Sequence, residues 1–363
     1  MKKRFDPSKP YDSLPPLPPP REATETVSVL RKEAAARQAL GELKGIANII
    51  PNQAILINAI VLREAKDSSE IENIITTQDR LYRALSSSSG SVVDAATKEV
   101  VSYREALRFG ERLISDRGLL SVNDICRIQS IIVGNDAGIR KTPGTALLND
   151  ATGETIYTPP QDPGILTRLM ANFTEYLNKR ASSLTDMAVL HYQFESIHPF
   201  HDGNGRTGRI LNILFLILKG FLEIPILYLS SEIIERKDEY YRLLNAVTVS
   251  EQWERWILFI LEATELTARR TIDQVKLVKN SLDDTIDRVR NKAQRIYSKE
   301  LVESLYVHPY CKVGFLIDSL GVERKAASRY LHQLEELGIV KGYKIGRENL
   351  FVNNALMEIL SRA

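Results

Sequence analysis

The stretch HPFHDGNGRTGR, residues 198–209, brings together two histidines, one aspartate, three glycines and two arginines. It runs directly into the apolar segment 210–218, which has the composition of a buried helix. Glycine lets a backbone approach a ligand closely, and arginine binds phosphate through paired hydrogen bonds. A loop that only joins two helices rarely needs both. The stretch therefore indicates a binding loop followed by a helix.

Two other interpretations of this stretch are weaker. The letters GNGRTG fit the G-x-G-x-x-G pattern of dinucleotide-binding turns, but such a turn follows a buried strand, and here it follows FESIHPFHD. A metal site is the second interpretation, because imidazole and carboxylate are ordinary ligands. Pro199, however, breaks the helical spacing that such ligands usually share. The candidate ligands would be His191, His198, His201 and Asp202.

A phosphate-binding site explains these residue types better. Gly203 and Gly205 allow the backbone to approach a phosphate, and the amides at the start of the next helix point towards it. Arg206 and Arg209 are three positions apart, so they share one helical face and present two guanidinium groups to successive phosphates. Asp202 is placed to hold the divalent cation that accompanies a triphosphate.

His198 is the candidate general base beside this phosphate site. An imidazole with a pKa near neutrality suits removal of a proton from a hydroxyl that attacks phosphorus. Pro199 would turn the chain so that the imidazole faces the same pocket. His201 has no assigned role.

The same twelve residues resemble the signature of the Fic (filamentation induced by cAMP) family, H-x-F-x-[DE]-G-N-G-R-x-x-R, at every fixed position. The resemblance implies a mostly helical fold and transfer of AMP from ATP to a protein hydroxyl. It implies that His198 is the base, Phe200 the apolar anchor of the loop and Asp202 the Mg²⁺ ligand. Arg209 would orient the γ-phosphate. The nucleotide-binding residues that it implies are Gly203, Asn204, Gly205, Arg206, Thr207, Gly208 and Arg209.

A β-hairpin is predicted in residues 138–162, where glycines and prolines frame two short segments around NDATGE. The part GETIYTPP, residues 153–160, is similar to the flap of Fic proteins, which holds a target segment by strand addition. An ordinary surface hairpin is the alternative. The candidate flap contacts are Thr155, Ile156 and Tyr157.

The segment EYYRLL, residues 239–244, resembles a Fic segment whose tyrosines line the adenine pocket. Tyr240 and Tyr241 are therefore candidate nucleotide contacts. Packing in the core explains two adjacent tyrosines equally well.

Upstream, SSEIEN at residues 68–73 resembles the Fic inhibitory motif [ST]-x-x-x-E-[GN]. Ser68, Glu72 and Asn73 occupy the matching positions. Since the motif precedes the signature in the same chain, the resemblance implies self-inhibition by Glu72. The alternative is that Glu70 and Glu72 simply face solvent.

The overall composition is that of a soluble globular chain. Of its 363 residues, 44% are hydrophobic and 26% charged, which is enough apolar material for two or three domains. A net charge of +2 provides no bulk field for nucleic acid or membrane. The two cysteines, Cys126 and Cys311, exclude a disulfide framework. The N-terminal prolines argue against a signal peptide. The apolar tract 210–229 is interrupted by Asn212, Lys219, Glu223 and Pro225, which argues against a membrane span. We therefore expect a cytoplasmic protein without a membrane partner.

The chain is predicted to be mainly α, with three segments. Residues 1–60 form a proline-rich arm and N-terminal helices, residues 61–285 the Fic-type helical core with its inhibitory helix and hairpin flap, and residues 286–363 a linker helix and a winged helix-turn-helix domain. The helical stretches predicted after the hairpin are 163–180, 185–197, 206–219, 230–247 and about 250–281.

The C-terminal domain is predicted from residues 312–353, which contain a helix, a turn at Gly321, a second helix and an alternating wing. Arg324, Lys325 and Arg329 on the second helix are candidate DNA contacts. Acidic residues balance these charges, so DNA and a protein remain alternative partners.

The sequence thus predicts a protein adenylyltransferase that uses ATP and Mg²⁺ and modifies a Ser, Thr or Tyr hydroxyl of a protein target or of itself. A homodimer is expected. The alternatives are removal of AMP from a target, transfer of another phosphate-linked group, and a transcription regulator that senses nucleotide.

Overall fold

Helices make up most of the chain, which confirms the predicted fold class. The computed structural model describes residues 5–86, 93–148, 152–345 and 348–361. The helices are α1 Arg21–Thr24, α2 Val27–Ala47, α3 Ala54–Ile71, α4 Gln78–Ser86, α5 Ala95–Arg117, α6 Val122–Val133, α7 Pro163–Glu175 with a π-helical turn Tyr176–Arg180, α8 Leu184–Ile197, α9 Asn204–Leu218, α10 Ser230–Glu235, α11 Lys237–Ser250, α12 Trp253–Lys292, α13 Lys299–Val307, α14 Val313–Leu320, α15 Arg324–Glu336 and α16 Asn354–Ser361. The strands are β1 Leu147–Leu148, β2 Thr155–Tyr157, β3 Tyr310–Cys311, β4 Lys341–Ile345 and β5 Glu348–Val352.

Helices α8 and α9 form the centre of the fold and are buried on nearly every face. A helix that is apolar all round belongs in a core, and these two pack against each other and against α5, α6, α7 and α12. On α12, the fully buried Trp256 donates its indole N–H to the carbonyl of Ala188 on α8 at 2.8 Å. The loop 198–203 therefore joins two helices that are held on nearly every face by the core.

The predicted hairpin is present as β1 and β2, which pair antiparallel. The N-terminal arm, residues 5–20, packs on the segment that follows β2. Tyr11 N–H donates to the carbonyl of Thr158 at 3.0 Å, and the Thr158 hydroxyl donates to the carbonyl of Pro7 at 2.6 Å. The aromatic rings of Phe5 and Tyr11 lie against Tyr157. The arm thus supports the hairpin from the outside.

Two predicted helices differ from the observed ones. The stretch 230–247 is broken at Arg236 into α10 and α11. The helix predicted to end near 281 continues as α12 to Lys292, because apolar residues such as Val289 remain buried beyond the charged positions. The helix crosses the predicted boundary at 285/286, and the segments 1–60, 61–285 and 286–363 stay a prediction.

The C-terminal unit has the predicted helix, turn and helix in α14 and α15, with Gly321 at φ 65° in the turn. Strands β3, β5 and β4 form an antiparallel sheet in that spatial order. The unit packs on the N-terminal helices: Asn58 on α3 donates to the carbonyl of Val307 at 3.2 Å, and Tyr310 donates to Asp79 on α4 at 2.6 Å. No helix in the described residues is long and apolar enough to cross a bilayer.

Candidate active site

The loop between α8 and α9 is fixed by its own side chains. Phe200 is fully buried, and Asn204 clamps it by accepting from Phe200 N–H at 2.9 Å and donating to the Phe200 carbonyl at 2.8 Å. Gly203 adopts φ 76°, and a Cβ there would meet Val133 at 2.8 Å. The side chain of Asn204 therefore holds the loop. Asn204 can meet an anion through its backbone N–H, which lies in the first turn of α9.

The two signature arginines are buried and meet the same carboxylate. Arg206 donates Nε to Glu72 Oε2 at 2.6 Å, and Arg209 donates Nη2 to Glu72 Oε1 at 2.8 Å. Arg209 also donates to the hydroxyl and the carbonyl of Ser68, both at 2.7 Å. Each of the two arginine side chains is only 2% exposed. Glu72 thus bridges Arg206 and Arg209, which follow it in the sequence by 134 and 137 residues.

Arg206 has two further acidic partners. Its Nη1 donates to Glu99 on α5 at 2.8 Å, and its Nη2 donates to Asp202 at 3.1 Å. Gly205 sits beneath this network, where a Cβ would meet Glu72 Oε1 at 2.6 Å and Arg209 at 2.8 Å. A side chain at Gly205 would therefore collide with the network itself.

The end of α3 explains why the motif requires a residue such as asparagine after the glutamate. Asn73 adopts φ 62°, the left-handed region that only glycine and asparagine enter at low cost. The turn is closed by hydrogen bonds from Asn73 N–H to Glu70 and from Ile74 N–H to Ser69, each 3.0 Å long. This reversal of the chain leaves Glu72 at the tip of α3, facing α9.

We expect Asn73→Val to loosen the hold of Glu72, because a β-branched residue in the left-handed region costs about 1–2 kcal/mol. The variant should have a lower Tm than the parent and a higher rate of transfer from labelled ATP. Asn73→Gly is the matched control, since glycine adopts this conformation freely. Equal Tm values for the two variants would contradict this explanation of the turn.

Charge and burial oppose each other at Glu72. Burial alone would raise the pKa of its carboxyl, but Arg209 and Arg206 more than offset it, so that the pKa lies below its ordinary value. Glu195 on α8 lies close by and has no ion-pair partner among the described residues, and burial raises its pKa to about 7. Its Oε1 packs against Gly208, where any Cβ would collide with it. Glycine at 208 thus makes room for the Glu195 carboxyl.

His198 caps the C-terminus of α8 in a left-handed conformation, with φ 47°. Burial, together with the charge of Arg140, lowers the pKa of its imidazole to about 4. The ring is therefore neutral at physiological pH, as a base must be before it accepts a proton. Among the described residues, its Nδ1 has no hydrogen-bond partner.

Asp202 suits a cation that arrives with a substrate. Its side chain is 69% exposed, and Oδ1 accepts from Gly203 N–H at 2.6 Å and from Arg206. Oδ2 is then the oxygen that would meet a cation. One carboxylate together with phosphate oxygens and water satisfies Mg²⁺. The described ranges contain no group of three His, Cys, Asp or Glu side chains suited to a resident metal ion.

A cavity of about 800 Å³ opens beside Glu72, between the hairpin and α11. Tyr241 lines it and is 44% exposed. Tyr240 instead points into the core, where its hydroxyl lies 2.9 Å from His191 Nε2 and its ring packs on Trp256. Of the two candidate adenine contacts, only Tyr241 faces the cavity. Leu148 and Ile156 of the hairpin also line it.

The other predicted contacts are distributed around the loop. Tyr157 turns inward and donates to the carbonyl of Ser196 at 2.7 Å, while Thr155 pairs with β1. Thr207 is fully buried within α9, so its side chain packs in the core and does not face the cavity. Sequence reasoning missed Glu99, Glu195 and Arg140. None of them lies in a short motif, but Glu99 pairs with the buried Arg206, Glu195 packs against Gly208, and Arg140 contacts the loop directly.

Comparison with known proteins identifies the domains of the chain. The Fic/DOC family N-terminal model matches residues 30–112, the Fic/DOC family model residues 119–216, and the model of the C-terminal domain of SoFic-like protein adenylyltransferase residues 282–356. The chain is 26% identical over 230 residues to protein adenylyltransferase fic-1 of Caenorhabditis elegans, covering 60% of this chain and 40% of that protein. It is 33% identical over 112 residues to protein adenylyltransferase Fic of Drosophila yakuba, covering 30% and 21%.

Solved structures show the same fold. A Fic family protein from Desulfovibrio desulfuricans G20 matches with a TM-score of 0.58 at 19% identity, covering 91% of this chain and 97% of that one. Fic-1 of C. elegans matches with a TM-score of 0.52 at 21% identity, covering 67% and 72%. The chain spans about 40% of the length of the nematode proteins that it matches in sequence. The chain thus carries, in order, the N-terminal domain and the Fic domain of the Fic/DOC family, followed by a SoFic-like C-terminal domain.

Proposed function

We propose that this chain is a protein adenylyltransferase that is held inactive by Glu72. The observation that carries the proposal is the bridge from Glu72 to Arg206 and Arg209, because two buried guanidinium groups beside a helix N-terminus form a site for polyphosphate. The names of the sequence relatives support AMP as the transferred group.

In the proposed reaction, a hydroxyl of the target attacks the α-phosphorus of ATP. The new oxygen–phosphorus bond forms as the bond between the α-phosphorus and the bridging oxygen to the β-phosphate breaks, so AMP stays on the target and pyrophosphate leaves. His198 accepts the hydroxyl proton, since its imidazole is neutral. The backbone amides of the first turn of α9 and the two arginines stabilise the charge on the phosphates.

Magnesium arriving with ATP would neutralise phosphate charge beside Asp202. Arg209 positions the γ-phosphate so that the α-phosphorus is in line with the hydroxyl. While Glu72 holds Arg209, the triphosphate binds in a pose without that alignment. The inhibition therefore acts on kcat more than on ATP affinity.

The hairpin is proposed to hold the target. Leu148 and Ile156 expose apolar side chains, 54% and 38% respectively, at the edge of the cavity. An extended target segment pairing with this hairpin would bring its hydroxyl towards the loop at His198. Backbone pairing places few demands on target sequence, so specificity would come from side chains beside the hydroxyl.

The proposal is tested with ATP labelled on the α-phosphate and, separately, on the γ-phosphate. An adenylyltransferase leaves only the α-label on protein, whereas a phosphoryl transferase leaves the γ-label. An enzyme that removes AMP releases label from a pre-modified target. A transcription regulator that only senses nucleotide leaves no covalent label. Modification of Ser, Thr or Tyr is read from the labelled peptide.

We expect Arg206→Ala to weaken ATP binding about tenfold or more, because it deletes a charge-assisted contact to phosphate. The measurement is calorimetry on the Glu72→Gly variant with and without the arginine change, since Glu72 occupies Arg206 in the parent. Arg127→Ala is the control, because Arg127 is 58% exposed and pairs only at the surface with Asp136. Unchanged ATP affinity would argue against the phosphate site.

The remaining expectations belong to this proposal as well. A homodimer and a cytoplasmic location remain predictions. The C-terminal unit is proposed to bind DNA or a protein through α15, where Arg324, Lys325 and Arg329 lie. Salt-dependent binding to duplex DNA would favour the first partner.

A further inference from the structure

We propose that Arg140 is a positioning residue, which ties the loop that carries His198 to the hairpin and so fixes the distance between the base and the target hydroxyl. The inference rests on the proposed function and goes beyond it, because neither the signature nor the inhibitory motif includes this residue. Arg140 lies between α6 and β1 and is 1% exposed.

The first half of the argument is the end of α8. The last carbonyls of a helix have no partner within the helix, and a cation near them is favourable. Arg140 Nε donates to the carbonyl of His198 at 2.8 Å, and Nη2 contacts the carbonyl of Ile197 at 3.4 Å. The left-handed backbone of His198 persists only where neighbouring contacts hold it. Arg140 supplies such a contact on the base residue itself.

The second half is the hairpin. Arg140 Nη2 also donates to the carbonyl of Pro160, just after β2, and the Arg140 backbone N–H donates to the carbonyl of Pro199 at 2.9 Å. Residue 140 precedes the hairpin and residue 160 follows it. One buried side chain therefore joins both ends of the hairpin to the residue that bears the base.

The chemistry of the side chain fits this task. A guanidinium donates in several fixed directions within one plane, so it can join carbonyls of different segments at once. An ammonium group is a point charge that would reach fewer of them. If the hairpin and the loop moved apart by about an ångström, transfer would fall on the order of a hundredfold. ATP binding would be unaffected, since the phosphates are held by other residues.

The test compares Arg140→Lys and Arg140→Gln, each in the Glu72→Gly background, with Arg127→Gln as the matched surface control. Backbone hydrogen exchange should become faster both in the segment that follows β2 and in the loop 198–203, in both variants. With ATP affinity within about twofold of the parent, kcat for self-labelling with α-labelled ATP should fall at least tenfold in the glutamine variant. Lysine should restore part of it, because it keeps the charge and one donor.

Each outcome decides the matter. Unchanged exchange in either segment, or unchanged kcat despite faster exchange in both segments, overturns the positioning role. Loss of ATP binding or of cooperative unfolding in both variants also overturns it, since Arg140 would then only hold the fold. If the Glu72→Gly parent transfers no AMP, the proposed function has failed, and the exchange measurement still decides whether Arg140 couples hairpin and loop.

Discussion

Replacing Glu72 with glycine is expected to raise the rate of AMP transfer about a hundredfold. The carboxylate occupies donors of both Arg206 and Arg209, and its loss leaves those donors free for phosphate. Because the effect lies in the alignment of the α-phosphorus, kcat should rise much more than ATP affinity. The measurement is the initial rate of labelling with α-labelled ATP at saturating nucleotide and magnesium.

Glu70→Gly is the matched control for this change. Glu70 lies on the same helix two residues earlier, but it pairs with Lys66 at 2.7 Å and does not contact the arginines. Its loss should leave the rate unchanged. A Glu72→Gly variant that labels at the parental rate would contradict the proposed self-inhibition by Glu72, while leaving the assignment of His198 intact.

The His198→Ala change, made in the Glu72→Gly background, is expected to lower transfer by about 10²- to 10⁴-fold. Freeing Arg209 cannot replace a proton acceptor, so release of inhibition should not rescue this variant. ATP should bind with unchanged affinity, because the phosphate contacts come from α9. Calorimetry and labelling on the same preparation separate the two effects.

His201→Ala controls for disturbance of the loop, since His201 is exposed and contacts only Thr142, at 3.4 Å, among its described hydrogen-bond partners. The pH profile gives an independent check. Burial and Arg140 lower the pKa of His198 to about 4, so the acidic limb of the transfer rate should lie below the ordinary histidine value. Labelling by the His198→Ala variant at the rate of its Glu72→Gly parent would exclude His198 as the base.

The twelve-residue signature predicted much of this site because its residues act through local geometry. Gly203 and Gly205 are needed where backbone and side chains approach closely, and Arg206 and Arg209 share a face at helical spacing. An inhibitory role of Glu72 at this loop was also predictable in outline, since a second short motif carries it. The bridge to both guanidinium groups, however, could not be predicted, because neither motif says which arginine the glutamate meets.

The parts that could not be predicted depend on contacts between distant segments. Glu99 meets Arg206 across 107 residues, and Arg140 meets His198 across 58. Nothing local distinguishes them from surface charges. Tyr240 and Tyr241 are adjacent, and only the packing of α11 on α12 shows which one is buried. The continuation of α12 past residue 285 follows from the burial of residues such as Val289, which the many charged neighbours do not indicate.

The attachment of Glu72 to the end of α3 makes it a tethered competitor of the γ-phosphate in the proposed mechanism. A tethered group has an effective concentration set by the chain, so dilution of the protein does not weaken it and excess ATP displaces it poorly. What changes that concentration is the position of α3 itself. The C-terminal unit contacts α3 through a hydrogen bond between Asn58 and Val307, and Asn58 lies 14 residues before Glu72, which caps the same helix. In the proposed mechanism, a partner that shifts the C-terminal unit against α3 would therefore change the local concentration of the inhibitor.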